Sequence, residues 1–262
     1  MTVAPDPSEI YERAVAEGDR RLGQSTLELA STGFIAGFTV VFGIVALGIV
    51  EGILEPAIGD VATIAGALAF GPGVVFLVVG RAELFNENFF DPVASAVEAS
   101  GTWLVGPLVR LWTVTFAFNL AGGALVIGVF SVEGALPPGT GEAFVRAAEE
   151  IVHRRTPAKF ADAFAGGVLV TLLSFLLHAA NAVGTRAFLA YLVGFLLALG
   201  AFDHVVVTML HVLFGVVFGA GIGLAGVATT TAVVTFGNLV GGLGLVTLTH
   251  VAQAKGAEDS DG

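Results

Sequence analysis

A chain of 262 residues with 55% hydrophobic and only 13% charged residues has too much apolar surface to fold as a water-soluble globule. A mean hydropathy of +0.89, with apolar windows of about 20 residues and no alternating barrel pattern, calls for helices packed in a bilayer. The absence of cysteine excludes disulfides and thiolate sites, and a net charge of −11 gives nucleic acid nothing to bind.

Residues 1–33 predict an amphipathic surface helix. Asp6-Pro7-Ser8-Glu9 is a helix start, Ile10, Ala14 and Leu22 share one face, and no cleavable apolar core follows. A first span is expected over Phe34–Leu54, then a polar turn at Glu55–Asp60. A second apolar run, Val61–Gly80, is interrupted by Arg81-Ala82-Glu83-Leu84-Phe85-Asn86-Glu87-Asn88-Phe89-Phe90-Asp91-Pro92, and residues 93–101 resume as a helix too short to span alone. Irregular backbone at membrane depth is tolerated only where it is buried in protein or lines a cavity; an ordinary polar loop is the plain alternative. Trp103–Phe130 reads as a third span, Ser131–Lys159 as a polar loop with a helical segment Glu142–His153, and Phe160–Ala180 as a fourth span. The fifth starts at Arg186 and is interrupted at Gly200, before Asp203-His204. After a glycine-rich link, Val227–Val251 forms the sixth, and 253–262 is a disordered acidic tail.

The halves echo one another. Thr115-Phe116-Ala117-Phe118-Asn119-Leu120-Ala121-Gly122-Gly123 resembles Thr235-Phe236-Gly237-Asn238-Leu239-Val240-Gly241-Gly242, and Val79-Gly80-Arg81-Ala82-Glu83 stands at the matching offset from Leu199-Gly200-Ala201-Phe202-Asp203. The reading is an all-α membrane protein of six transmembrane helices in two inverted three-helix repeats, about 34–132 and 160–252 of a transmembrane domain 34–252. Its second and fifth helices are broken. Ionisable residues at membrane depth mark functional sites by default, which singles out Asp203 and His204. Glu83, Asp203, Asn119 and Asn238 read as structural ties at the breaks.

Glu83-Leu84-Phe85 in the second span, Phe202-Asp203-His204 in the fifth and Asn238-Leu239-Val240-Gly241-Gly242 in the sixth together resemble the formate/nitrite transporter family, over about residues 25–252. The resemblance implies an aquaporin-like protomer with its own pore for small monovalent anions, assembled as a homopentamer in the cell membrane with both termini cytoplasmic. It implies His204 as the central pore histidine, and Leu84, Phe85, Phe70, Val74 and Leu197 at apolar constrictions. Four polar pore positions depart from the better-known members: Asn86, Thr171, Arg155 and Thr208. The anion carried therefore stays open, as do channel against proton-coupled carrier and the direction of transport.

An anion entering a hydrocarbon slit meets a large desolvation penalty, which a protonated histidine or a shared proton relieves. Arg155, with Lys159, is expected to gather the anion, and His204 to attract it and share a proton. An aquaporin-like pore for a small neutral solute is the alternative. An intramembrane enzyme on Asp203 and His204 lacks a serine or second aspartate at suitable spacing, so no enzymatic activity is expected. His178, His211 and His250 lack metal-ligand spacing; no metal and no cofactor is expected.

Overall fold

Asp6 opens the first helix by accepting the Glu9 N–H at 2.9 Å, with Pro7 in the first turn where its missing donor costs nothing. The computed structural model describes residues 5–99 and 104–261, with side chains through 256. These residues are all helical or irregular. In chain order the helices are α1 (Pro7–Gly23), α2 (Thr26–Ile58), α3 (Ala62–Val79), α4 (Asp91–Glu98), α5 (Val105–Phe130), α6 (Thr140–His153), α7 (Thr156–Ala179), α8 (Val183–Leu199), α9 (Val205–Val217), α10 (Leu224–Leu239) and α11 (Leu248–Asp261).

Among the described residues, four helical stretches are long and apolar enough to cross a membrane unaided: Thr26–Val79, which takes in both α2 and α3, Val105–Phe130, Thr156–Ala179 and Leu224–Gly256. Two shorter apolar helices, Val183–Leu199 and Val205–Val217, meet at a break. Large apolar side chains such as Leu125, Phe188, Leu224 and Phe236 point outward, which suits lipid and not water. The core runs through the middle of the bundle, where Val40, Ile44, Phe70, Leu77, Leu173, Val205 and Leu210 are buried.

Helix α2 is longer than the expected first span. Ser25 caps it through the Glu28 N–H, and the residues expected as a turn from Glu55 stay helical until Gly59, whose φ of 59° ends it. The sixth span is not one uniform helix. After α10 the chain winds as a π-helix over Val240–Thr247, where Thr247 Oγ1 donates to the Gly242 carbonyl at 2.9 Å, and α11 follows. The tail expected as disordered from residue 253 begins as helix, because Val251 and Ala254 are buried with Tyr11 and Ala14 of α1, and Lys255 meets Glu98 at 2.8 Å. The expected start of the third span, Trp103, lies outside the described residues; the described part of that helix begins at Val105.

Helix α1 is no free surface helix. Ile10, Tyr11, Ala14 and Gly18 are buried, and Gly18 lies against the Asp91 backbone at the start of α4. Helix α6 takes a parallel role on the other half: Ala143, Phe144 and Ala148 are buried, and Phe144 stacks on Phe214 of α9 with ring centroids 4.2 Å apart.

Candidate functional site

Both breaks end their first helix in the same way. At the first, Gly80 N bonds Phe76 O, Arg81 swings to φ 55°, and Ala82 N reaches back to Leu77 O. At the second, Gly200 N bonds Leu196 O, Ala201 takes φ 49°, and Phe202 N reaches Leu197 O. A left-handed residue that is not glycine costs roughly 1–2 kcal/mol, so two in matching places are held by their surroundings.

The holding groups are two asparagines. Asn119 Oδ1 accepts the Phe85 N–H at 3.0 Å, while its Nδ2 donates to Glu83 O at 3.0 Å and Gly33 O at 2.8 Å. Asn238 repeats the pattern: Oδ1 accepts the Val205 N–H at 2.9 Å, and Nδ2 donates to Asp203 O and Ala163 O, each at 2.7 Å. Asn86 then joins the breaks, its Nδ2 donating to Asn238 Oδ1 at 2.8 Å. Buried backbone donors freed by each break thus find side-chain acceptors. Gly37 and Gly167 make room for these asparagines, since a Cβ on either would collide with the Asn119 or the Asn238 carbonyl.

Each break also carries an acid tied to an arginine from an amphipathic helix. Glu83 Oε1 meets Arg20 at 2.8 Å and the Gln24 amide at 3.2 Å. Asp203 Oδ2 meets Arg154 at 3.3 Å, and its Oδ1 accepts the Thr208 hydroxyl at 3.1 Å. Gln24 and Arg154 are the C-cap residues of α1 and α6, so the two helices present their ends to the two breaks alike. Outside the membrane-spanning segments, burial opposes ionisation of Glu17 on α1. The hydrogen bond from Arg20 and the charges of Arg21 and Arg20 outweigh it and bring the pKa down to about 2.

Two cavities reach inward. One, of about 440 Å³, lies beside α6 and is lined by Phe70, Leu197, Asp203, His204, Thr208 and His211 among others. The other, of about 360 Å³, lies beside α1 and is lined by Arg20, Arg21, Glu83, Glu87, Ser174 and His178 among others. Helix α3 brings Phe70 to the first and Val78 to the second, so roughly 12 Å of helix separates their nearest walls. Among the expected pore residues, Phe70, Leu197, His204 and Thr208 gather at the α6-side cavity. Leu84, Phe85, Asn86, Val74 and Thr171 are buried and line neither cavity. Val74 packs on α8 where a Cβ at Gly194 would touch it, Phe85 sits edge-on to Phe89 and Phe116, and Thr171 faces Gly242.

His204 is 2% exposed, and neither ring nitrogen has a hydrogen-bond partner among the described residues. Asn86 Oδ1 and Thr171 Oγ1 share that condition. A buried polar atom without a partner costs about 1–3 kcal/mol, so three such side chains near the breaks suit a polar solute.

Arg155 is placed differently from expectation. It caps α7, points to solvent and lines neither cavity; the arginine of the α6-side cavity is Arg154. Lys159 is buried and donates to Val152 O at 3.1 Å and Thr230 Oγ1 at 2.7 Å, which fixes it within the protein. Sequence reasoning passed over Arg20, Arg21 and Arg154. The signal for α1 was there: Glu17 stands three and four residues before Arg20 and Arg21, a spacing that pairs charges along a helix.

The chain matches the formate/nitrite transporter family over residues 8–252. It is 26% identical over 247 residues to the inner membrane protein YfdC of Escherichia coli (strain K12), covering 94% of this chain and 78% of that protein. It is also 26% identical over 251 residues to the formate channel BtFdhC of Bacillus thuringiensis, covering 94% of each. Among solved structures, an FNT family ion channel matches with a TM-score of 0.81 at 17% identity, over 92% of this chain and 97% of the other. A pentameric formate channel with formate bound matches with a TM-score of 0.71 at 20% identity, over 86% and 96%. On the strength of a match that spans nearly its whole length, the chain belongs to the formate/nitrite transporter family of membrane channels and transporters.

Proposed function

We propose that the chain forms a pore for small monovalent anions of weak acids, formate or nitrite among them, running between the two cavities. The observation that carries this reading is His204: a buried imidazole on the wall of the α6-side cavity, with neither nitrogen partnered among the described residues, at the N-terminus of α9. A helix N-terminus favours negative charge, and an imidazole beside it can share a proton with the solute. Leu84, Phe85, Phe70, Val74 and Leu197 then act as constrictions that strip water from the solute, while Asn86, Thr171 and Thr208 offer it hydrogen bonds. The arrangement corresponds to six spans in two inverted halves, α2, α3–α4 and α5 against α7, α8–α9 and α10–α11, with the paired asparagine ties in support. A homopentamer in the cell membrane, with both termini cytoplasmic, completes the proposal; a pentameric relative with the same fold supports the assembly.

Radiolabelled formate and nitrite flux into proteoliposomes, with and without a proton gradient, tests the reading. His204→Asn and His204→Phe are expected to lower flux at least tenfold at acid pH and to flatten its pH dependence, a loss of about 1.4 kcal/mol or more in the barrier step. Unchanged pH-dependent flux in both variants would remove His204 from the mechanism. A pore for small neutral solutes is the second reading, favoured by the five carboxylates, Glu51, Glu55, Asp60, Glu150 and Asp203, that face two arginines in the α6-side cavity. Flux that follows a neutral solute and ignores anions selects it.

A further inference from the structure

The segment that forms the first break carries three carboxylates four residues apart, Glu83, Glu87 and Asp91, and all three line the α1-side cavity. Two of them have cationic partners. Glu83 lies 2.8 Å from Arg20 and 4.0 Å from Arg21. Asp91 lies 3.4 Å from Arg21 and 2.8 Å from His178. Glu87 has no ion pair among the described residues. Arg21 reaches only its backbone, donating from Nη1 to Glu87 O at 2.9 Å and to Asn88 Oδ1 at 3.0 Å. Of the Glu87 carboxyl oxygens, Oε2 accepts the Leu84 N–H at 3.2 Å, and Oε1 has no hydrogen-bond partner among the described residues.

The ionisable groups around this carboxyl come from several elements. Helix α1 presents Arg13, Glu17, Arg20 and Arg21 to the same cavity. Helix α7 presents His178 and α8 presents Arg186, while the break itself adds Arg81, Glu83 and Asp91. Helix α7 also sets the scale along the path. Ser174 Oγ donates to Glu87 O at 3.3 Å, Thr171 lies one turn away on the same face, and Gly167 abuts Asn238, which holds Val205 next to His204. From Gly167 to Ser174 is roughly 10 Å of helix rise. Glu87 and His204 therefore stand at opposite ends of the narrow buried stretch.

Resting on the pore reading above, we propose that Glu87 is the specificity-determining residue at the α1-side end of the path. Ionised, its carboxyl repels the anion and admits the neutral acid; protonated, it lets the anion pass and offers it a hydrogen bond. No covalent step is involved. An unpaired charge a few ångströms from a dehydrated anion depresses its local concentration by roughly tenfold or more.

The test compares formate uptake into proteoliposomes by the wild type, E87Q, E87D and E87L in acidic and in mildly alkaline buffer. Glutamine keeps an acceptor for the Leu84 N–H but carries no charge. E87Q is expected to raise uptake in alkaline buffer by roughly tenfold over the wild type and to equal it in acid, whereas E87D keeps the wild-type profile. An E87Q profile that superimposes on the wild type overturns the proposal, and so does a purely structural pattern in which only E87L, which removes the acceptor, loses folded protein and flux. Failure of the wild type to carry any anion at any pH is a different result: it overturns the pore reading and takes this proposal with it.

Discussion

Two asparagines hold the centre of this molecule. Each satisfies one amide and one carbonyl freed at its break, groups that in lipid have no water to turn to, and ties them to a carbonyl inside α2 or α7. Asn238 has the larger share, because it also accepts from Asn86 and so fastens one break to the other. Asn238→Leu leaves the Val205 N–H, the Asp203 carbonyl and the Asn86 amide without partners at roughly 1–3 kcal/mol each, so it is expected to lower the melting temperature in detergent more than Asn119→Leu does. Equal losses would mean that the Asn86 link carries no energy. These asparagines were legible from the sequence, since an Asn-Leu-x-Gly-Gly run recurs after each interrupted helix. Arg154 was not. It and Arg155 are adjacent, and which one faces the cavity depends on the turn at the end of α6, where Arg154 takes φ −56° and ψ 139° as the C-cap.

At the scale of elements, α1 and α6 clamp the breaks through charge. Helix α1 does so with Arg20 on Glu17 and Glu83 at once, a bridge from a surface helix to a buried acid. Because the folded pKa of Glu17 is about 2 against an ordinary 4.5, its contribution is complete above 4.5 and disappears as the pH falls through 2. The hydrogen-exchange protection factors of the α1 amides, which take out the intrinsic pH dependence of exchange, are therefore expected to be constant from neutral pH down to that upper value and to fall below it. Glu17→Gln should loosen α1 already at neutral pH; protection indifferent to both acid and this substitution would show that α1 is held by Ile10, Tyr11 and Ala14 alone. Helix positions followed from the apolar runs, and Glu142–His153 was recognisable as helix. Docking of α1 was not readable, because its polar face looks like any solvated face until the acids of the break are beside it. The π-helical stretch from Val240 was hidden as well, since glycines in a span read equally well as close packing.

For the whole molecule, the two cavities differ in charge. The α1-side cavity has five arginines, Arg13, Arg20, Arg21, Arg81 and Arg186, against four carboxylates, Glu17, Glu83, Glu87 and Asp91. The α6-side cavity reverses the balance, with Arg146 and Arg154 against five carboxylates. Neither Arg155, which is exposed, nor Lys159, which is bound to Val152 O and Thr230 Oγ1, is among the cations lining the α6-side cavity. On the proposed function, the field of the α1-side cavity would concentrate anions there, and the acidic mouth on the α6 side would thin them out. With the protein inserted in one orientation, the anion concentration that half-saturates flux is expected to be several-fold lower when the anion starts from the α1 side. The difference should shrink with salt and vanish near 1 M, where screening acts over about 3 Å. Glu51→Gln together with Glu150→Gln should narrow it at low salt by raising affinity from the α6 side alone. Equal half-saturation from both sides at low salt would show that the constriction between the cavities, and not their charge, sets how readily the anion enters.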